Sequence, residues 1–81
     1  MNPQQKLQLS FRQGLALPVK FDVTSAESSS MGQWDSVAHL QLVVSIEDAF
    51  GIRLESADVV DLKSYDTAVA ILKRHGAWSD V

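Results

Sequence analysis

Asp35-Ser36-Val37-Ala38-His39-Leu40-Gln41-Leu42-Val43-Val44-Ser45-Ile46-Glu47-Asp48-Ala49-Phe50-Gly51 is the stretch on which the reading of this chain turns. Val37, Leu40, Val44 and Ile46, joined by Leu42, Val43 and Phe50, make an apolar surface too broad for a helix covered on one side only. The pattern predicts a helix over residues 36–50, central to a bundle and touched from more than one direction. Gly51 suits a left-handed C-cap. At the mouth of this helix a hydroxyl, Ser36, stands beside a carboxylate, Asp35. Taken alone, Ser36 reads as a simple N-cap; Asp35 can equally take that role and leave the Ser36 hydroxyl free.

Working outward, Pro3 ahead of Gln4, Gln5 and Lys6 marks a helix start. Leu7, Phe11 and Leu15 recur on one helical face, with Leu9 and Ala16 expected to widen the stripe. Gly14 weakens that helix near its end and Pro18 stops it, giving a span of about residues 4–16. Residues 18–35 form a long connection rich in serine, with Phe21, Val23, Met31 and Trp34 as apolar anchors and a short turn near Ala26. Its serines are read as a plain loop rather than as phosphorylation sites. Beyond Gly51, Ile52 and Leu54 return the chain to the core without a strand partner. Residues 56–61 form a short helix with Ser56 as candidate cap, and Leu62 anchors the connection after it. Ser64 caps the last helix, with Asp66 in its first turn. Ala68, Ile71 and Leu72, with Tyr65 or Val69, face inward. Lys73, Arg74 and His75 suit the negative end of the helix dipole and Gly76 ends the helix. The expected architecture is all-α: a four-helix bundle of three main helices and one short one, with a long first connection crossing it. It occupies a single domain over residues 1–81, with a helical core about 4–76 and a tail, 77–81, either frayed or pinned by Trp78.

Composition limits what such a domain can do. Eighty-one residues, 46% of them apolar, support one modest core. Cysteine is absent, which excludes disulfides, a cysteine nucleophile and a thiolate metal site. No run is apolar enough to span a bilayer and no signal-peptide core follows the N-terminus, so a cytoplasmic location without membrane insertion is expected. The net charge of -3 is unevenly spread. Residues 1–20 carry Lys6, Arg12 and Lys20 and no acid. Residues 21–61 set Asp22, Glu27, Asp35, Glu47, Asp48, Glu55, Asp58 and Asp61 against Arg53 alone. An acidic middle argues against a nucleic-acid partner, which needs a basic stripe. It suits docking to basic protein surfaces, although a merely solvated acidic face is the plainer reading.

The order of elements resembles the acyl carrier and peptidyl carrier family over most of residues 5 to 75. The pattern is helix, long loop, Asp35-Ser36-Val37, helix ending in Phe50-Gly51-Ile52, short helix, final helix. The three-residue motif is weak by itself; its place in this order is what makes it specific. The resemblance implies a bundle of acyl-carrier type, in which Ser36 receives 4'-phosphopantetheine from coenzyme A. Asp35 matches the acid that precedes the family serine, and Val37 stands where Leu or Met is commoner. Gln33 replaces a usual glycine. Trp34 looks like the Trp-Asp-Ser variants of stand-alone carriers in specialised pathways. The implied protein performs no catalysis itself. It carries an acyl or aminoacyl thioester for fatty-acid, polyketide or other specialised biosynthesis. Its implied partners are a phosphopantetheinyl transferase, a loading ligase or acyltransferase, and a downstream synthase or transferase, and a carrier of this kind is expected to be a monomer.

Trp34, His39, Glu47 and Asp48 are the candidate docking residues, because interfaces favour aromatic anchors and Glu47 and Asp48 can meet basic groups. Trp34 can instead lock the loop to the bundle, and His39 can be an ordinary surface histidine. Val37, Leu40 and the apolar residues of the long loop can border a cleft for the acyl chain; Val37 is expected to be exposed beside the arm, whereas Leu40 and Val44 read more simply as core. Ser36 lacks the Gly-x-Ser-x-Gly setting of a hydrolase nucleophile. His39 and His75 have no neighbours spaced as metal ligands, so no metal site is expected. The competing reading is an unmodified helical interaction module.

Overall fold

Asn2 starts the first helix. Its side chain accepts the Gln5 N–H at 2.8 Å while Gln5 Oε1 faces the Asn2 N–H at 3.4 Å, a reciprocal cap, and Pro3 follows at the first helical position. The structure is a computed structural model describing residues 2–78. Its four helices are α1 (Pro3–Leu15), α2 (Ser36–Phe50), α3 (Ser56–Asp61) and α4 (Tyr65–Arg74). The chain is therefore an all-α four-helix bundle, three longer helices and one short, with a long loop between α1 and α2. The tail residues Ser79, Asp80 and Val81 lie outside the described residues, while Ala77 and Trp78 are half-buried and pack against the core.

Helix α1 ends where Ala16 turns left-handed at φ 54°, and the Leu17 N–H reaches back to the Arg12 carbonyl at 3.0 Å. Leu7, Phe11 and Leu15 are buried as their spacing predicts, but Leu9 and Ala16 face solvent and do not extend the stripe. The inward face is completed by two small residues, Ser10 and Gly14. A Cβ added at Gly14 would lie 2.6 Å from Leu42 Cα and 2.9 Å from Leu42 N, so glycine is what lets the backbones of α1 and α2 come this close. Ser10 Oγ bonds the Lys6 carbonyl of its own helix at 2.9 Å and reaches the Ser45 carbonyl of α2 at 3.4 Å.

The long loop lies on the bundle through Leu17, Val23, Ala26, Met31 and Trp34, all buried, with Phe21 half-buried. It contains two short 3-10 turns, Val23–Ser25 and Ser28–Ser30. Asp22 caps the first turn, and Ala26 ends it, near the place where a turn is expected. Arg12 Nη1 ties the start of the loop to α1 by donating to the Pro18 and Phe21 carbonyls, each at 3.2 Å. Further on, Ser28 N–H donates to the Lys63 carbonyl at 2.7 Å and Tyr65 N–H to the Ala26 carbonyl at 3.1 Å. That small antiparallel bridge straps the loop across the segment leading into α4. Phe11 lies beneath, edge-on to Trp34 at 5.7 Å and tilted against Tyr65 at 5.6 Å, so one α1 side chain joins loop and α4.

Gly51 ends α2 with φ 63°, and Gly76, at φ 70°, follows α4. At α3 the N-cap position is held by Glu55, whose N–H donates to Asp58 Oδ2 at 3.1 Å; Ser56, the expected cap, is the first helical residue instead. Ser64 caps α4 as expected, accepting the Thr67 N–H at 3.1 Å.

Because the contacts at Gly14 are to backbone, Gly14→Ala forces the helices apart. The added methyl gains about 1 kcal/mol of helix propensity but overpacking outweighs it, for a net loss of about 2 kcal/mol. A fall in melting temperature of about 10 °C is expected by circular dichroism. Gly32→Ala, where a Cβ meets nothing within 4 Å, should leave it unchanged.

Candidate functional site

The start of α2 divides two jobs between adjacent residues. Asp35, extended at φ -90° and ψ -172°, accepts the Ala38 N–H on its side chain at 2.9 Å. Its backbone carbonyl accepts the His39 N–H at 2.8 Å. Ser36 is the first helical residue, exposed, and its hydroxyl makes no hydrogen bond among the described residues. The free N–H groups of this first turn and the helix dipole make the surroundings of Ser36 favourable to negative charge.

Below Ser36, three elements meet at His39. Trp34 Nε1–H donates to His39 Nδ1 at 2.9 Å, with the two rings edge to edge, their planes inclined by 26° and their centroids 6.1 Å apart. An indole nitrogen is only a donor, so Nδ1 is the acceptor and the imidazole proton sits on Nε2. Nε2–H then donates to the Val59 carbonyl at 2.8 Å. Val59 lies near the end of α3, where carbonyls lack an intrahelical partner, and His39 supplies one. His39 is thus a half-buried tie between loop, α2 and α3, not the ordinary surface histidine of the plainer sequence reading. Trp34 is 7% exposed and holds the loop down. Its indole offers a partner very little surface.

A groove of about 570 Å³ opens beside Ser36. Trp34, His39, Val59 and Leu62 form its inner wall, while Ser28 and Lys63 belong to its polar lining. Of the expected site residues, the fold brings Trp34, Asp35, Ser36 and His39 together here. Val37 points away from the core and is 64% exposed. Glu47 and Asp48 lie near the other end of α2. Glu47 is half-buried, its Oε2 accepting the Leu54 N–H at 2.8 Å, and Asp48 is exposed. Sequence reasoning missed Ser28, Val59, Leu62 and Lys63, which reach the groove only through the loop strap and the placing of α3.

Leu40 and Val44 correct another expectation. Both read as core in the sequence, yet they are 61% and 53% exposed and share an outward face with Val37. The buried face of α2 is Leu42, Val43 and Ile46. Val60 on α3 is also exposed. Gln41 and Asp48, polar residues in register with Val37 and Val44, are the sequence signal that marks this stripe as outward.

The far side of α3 is anchored by Asp58, a buried carboxylate. Its Oδ1 accepts from Arg74 Nη2 at 2.6 Å, and its Oδ2 lies 2.7 Å from His75 Nε2 and 3.1 Å from the Glu55 N–H. The hydrogen bond to His75 is the largest influence lowering the Asp58 pKa below its ordinary value. The Glu55 N–H adds to it, burial opposes it, and the charges of His75 and Arg74 contribute less. His75 is thus a hydrogen-bond partner of α3 as well as a residue at the C-terminal end of α4.

Comparison with known proteins finds no matching family model, no matching curated protein and no matching solved structure. Among the described residues no helix is long and apolar enough to cross a membrane. The geometry by itself is that of a small helical bundle with an exposed apolar stripe, consistent with a protein–protein interaction module.

The capping and ion-pair geometry generates two predictions. Asp35→Ala removes the α2 cap and should cost about 1 kcal/mol in urea unfolding; an unchanged midpoint would show that the cap carries no weight. For Asp58 the folded pKa lies below the unfolded one. Its stabilisation is therefore present above the usual carboxylate range and lost as pH falls through the folded pKa. The stability gap between the native protein and Asp58→Asn should close on acidification below about pH 4. A gap that does not change with acid contradicts the assignment.

Proposed function

We propose that this bundle is a carrier of acyl-carrier type, with Ser36 as the attachment point of a 4'-phosphopantetheine arm. The observation that carries the reading is the free, exposed Ser36 hydroxyl on the first residue of a 15-residue helix whose cap is supplied by its neighbour. A hydroxyl used as a cap would be tied to the backbone; this one is available to an external transferase.

The residues present fit such a group. Ser36 Oγ would form the ester bond to the phosphorus delivered from coenzyme A, giving up its proton to the transferase as the adenosine bisphosphate leaves. The phosphodiester is anionic, and the Ser36 and Val37 N–H groups at the helix start, with the dipole behind them, offset its charge. Asp35 fixes the first turn and so the direction in which Ser36 projects. Val37, exposed one residue on, offers an apolar contact beside the attachment point. When bound, the arm would supply a terminal thiol that holds an acyl or aminoacyl group as a thioester. The chain then positions that cargo and performs no catalysis of its own. Docking to a loading ligase or acyltransferase, and to a downstream synthase or transferase, would use the outward face of α2, where Val37, Leu40 and Val44 alternate with Gln41 and Asp48. Such contacts are brief when they combine a few apolar anchors with rim charge. Tethering raises the effective concentration of the cargo at each docked site.

The same apolar stripe favours a second reading, an unmodified helical module that binds a partner directly through α2 and α3. One experiment separates the two. Incubation with coenzyme A and a broad-specificity phosphopantetheinyl transferase should raise the intact mass by one arm. Ser36→Ala should abolish the gain, and Ser56→Ala, at the first position of α3, should keep it. A native chain that gains no mass beside a carrier that does would leave the interaction module standing alone.

A further inference from the structure

The groove beside Ser36 does not lead freely into the core. Its inner wall is the chain of hydrogen bonds from Trp34 Nε1 to His39 Nδ1 and from His39 Nε2 to the Val59 carbonyl. These bonds close the seam between α2 and α3 next to the proposed attachment point. Behind them Leu42, Ile46, Leu62 and Leu72 are fully buried and already packed together. Helix α3 is also held from its other side, where Asp58 pairs with Arg74 and His75. It is therefore tied to α2 and to α4 at once.

We propose that the Trp34–His39–Val59 tie bars extended alkyl chains from the interior, so that cargo carried on Ser36 stays in the outer groove and belongs to the class of short or polar acyl groups, aminoacyl groups included. This rests on the carrier reading. An alkyl chain passing between α2 and α3 would have to part the tie. That would leave an indole N–H, an imidazole and a helix-end carbonyl without partners in an apolar seam, a penalty that short cargo lying outside does not meet. The groove itself suits the latter, since Ser28, Asp35 and Lys63 give it hydroxyl, carboxylate and ammonium groups around an apolar floor. His39 is here a positioning residue that acts through Val59 on the seam.

The test uses the arm-loaded protein charged separately with acetyl, glycyl, octanoyl and dodecanoyl groups, each confirmed by intact mass. Thermal melting and backbone amide NMR shifts are then read for each. The native protein should melt at the same temperature with every cargo, and the amides of Leu42, Ile46 and Leu62 should not move with chain length. In His39→Ala the dodecanoyl form should melt higher than the acetyl form of the same variant, with those amides shifting. Comparing cargoes within one variant cancels whatever the substitution does to basal stability. Trp34→Phe, which keeps the aromatic packing and removes the indole donor, gives the same comparison if His39→Ala does not fold. A dodecanoyl-dependent rise in the native protein overturns the proposal, as does a folded His39→Ala or Trp34→Phe that is indifferent to chain length. Absence of the arm on the native chain is a different result, seen by mass before any cargo is added, and it defeats the carrier reading instead.

Discussion

The near contact of Gly14 with the backbone of Leu42 is the constraint on which the rest of the bundle depends. Helices packed through large side chains stand apart; a glycine and a serine on one face let them close up. Gly14 and Ser10 provide that face on α1, and the price is a buried hydroxyl, which Ser10 satisfies on the Lys6 and Ser45 carbonyls. Once the helices are this close, α2 has little freedom to rotate. Leu42, Val43 and Ile46 must turn toward Leu7, Phe11 and Leu15, and Val37, Leu40 and Val44 must turn away. The direction of Ser36 is fixed by the same rotation, at the far end of the same helix.

Helix α3 depends on its neighbours in a different way. Six residues form too few internal hydrogen bonds to offset the cost of ordering them. Side chains from elsewhere complete it. His39 from α2 takes the Val59 carbonyl, and Arg74 and His75 from the end of α4 take Asp58. Glu47 receives the Leu54 N–H on the approach to it. Both histidines of the chain and one of its candidate docking acids are therefore committed, at least in part, to holding a single short helix. Groups that look available for chemistry in the sequence are structural ties in the fold.

That difference explains what the sequence discloses and what it does not. The four helices are legible because each is marked locally, by Pro3, Phe50-Gly51, Ser64 and Gly76, and by the spacing of Leu7, Phe11 and Leu15. Local marks also place Asp35 and Ser36 at a helix start. The inward face of α2 is not legible from apolar periodicity, because valine and leucine occur on all its sides; only Gln41 and Asp48 betray the outward stripe. Gly14 reads locally as a weakness in α1, since its purpose lies in a helix about thirty residues further on. The same holds for His39, whose partners Trp34 and Val59 come from a loop and a helix that only the tertiary structure brings together. The groove wall formed by Val59, Leu62, Ser28 and Lys63 depends on the strap between Ser28 and Lys63, and no local pattern announces that pairing.

Serine begins both α2 and α4 in the sequence, yet the two residues stand in different positions. Ser64 lies outside its helix, and its hydroxyl accepts the Thr67 N–H while Thr67 Oγ1 accepts the Ser64 N–H, so both partners are consumed in ending the helix. At α2 the extra carboxylate of Asp35 occupies that outer place, and Ser36 moves one residue inward, where a side chain has no cap to make. The substitution of one capping group by another is worth little in stability, because aspartate and serine cap about equally well. Its consequence is chemical. A side chain at the first helical position projects from a rigid turn, near free N–H groups, with its oxygen unshared. A carboxylate cap beside it adds a negative charge, but one already engaged by the Ala38 N–H and facing the positive end of the dipole. The pair Asp35-Ser36 thus supplies, from two adjacent residues, both the termination of the helix and a hydroxyl that the termination does not use.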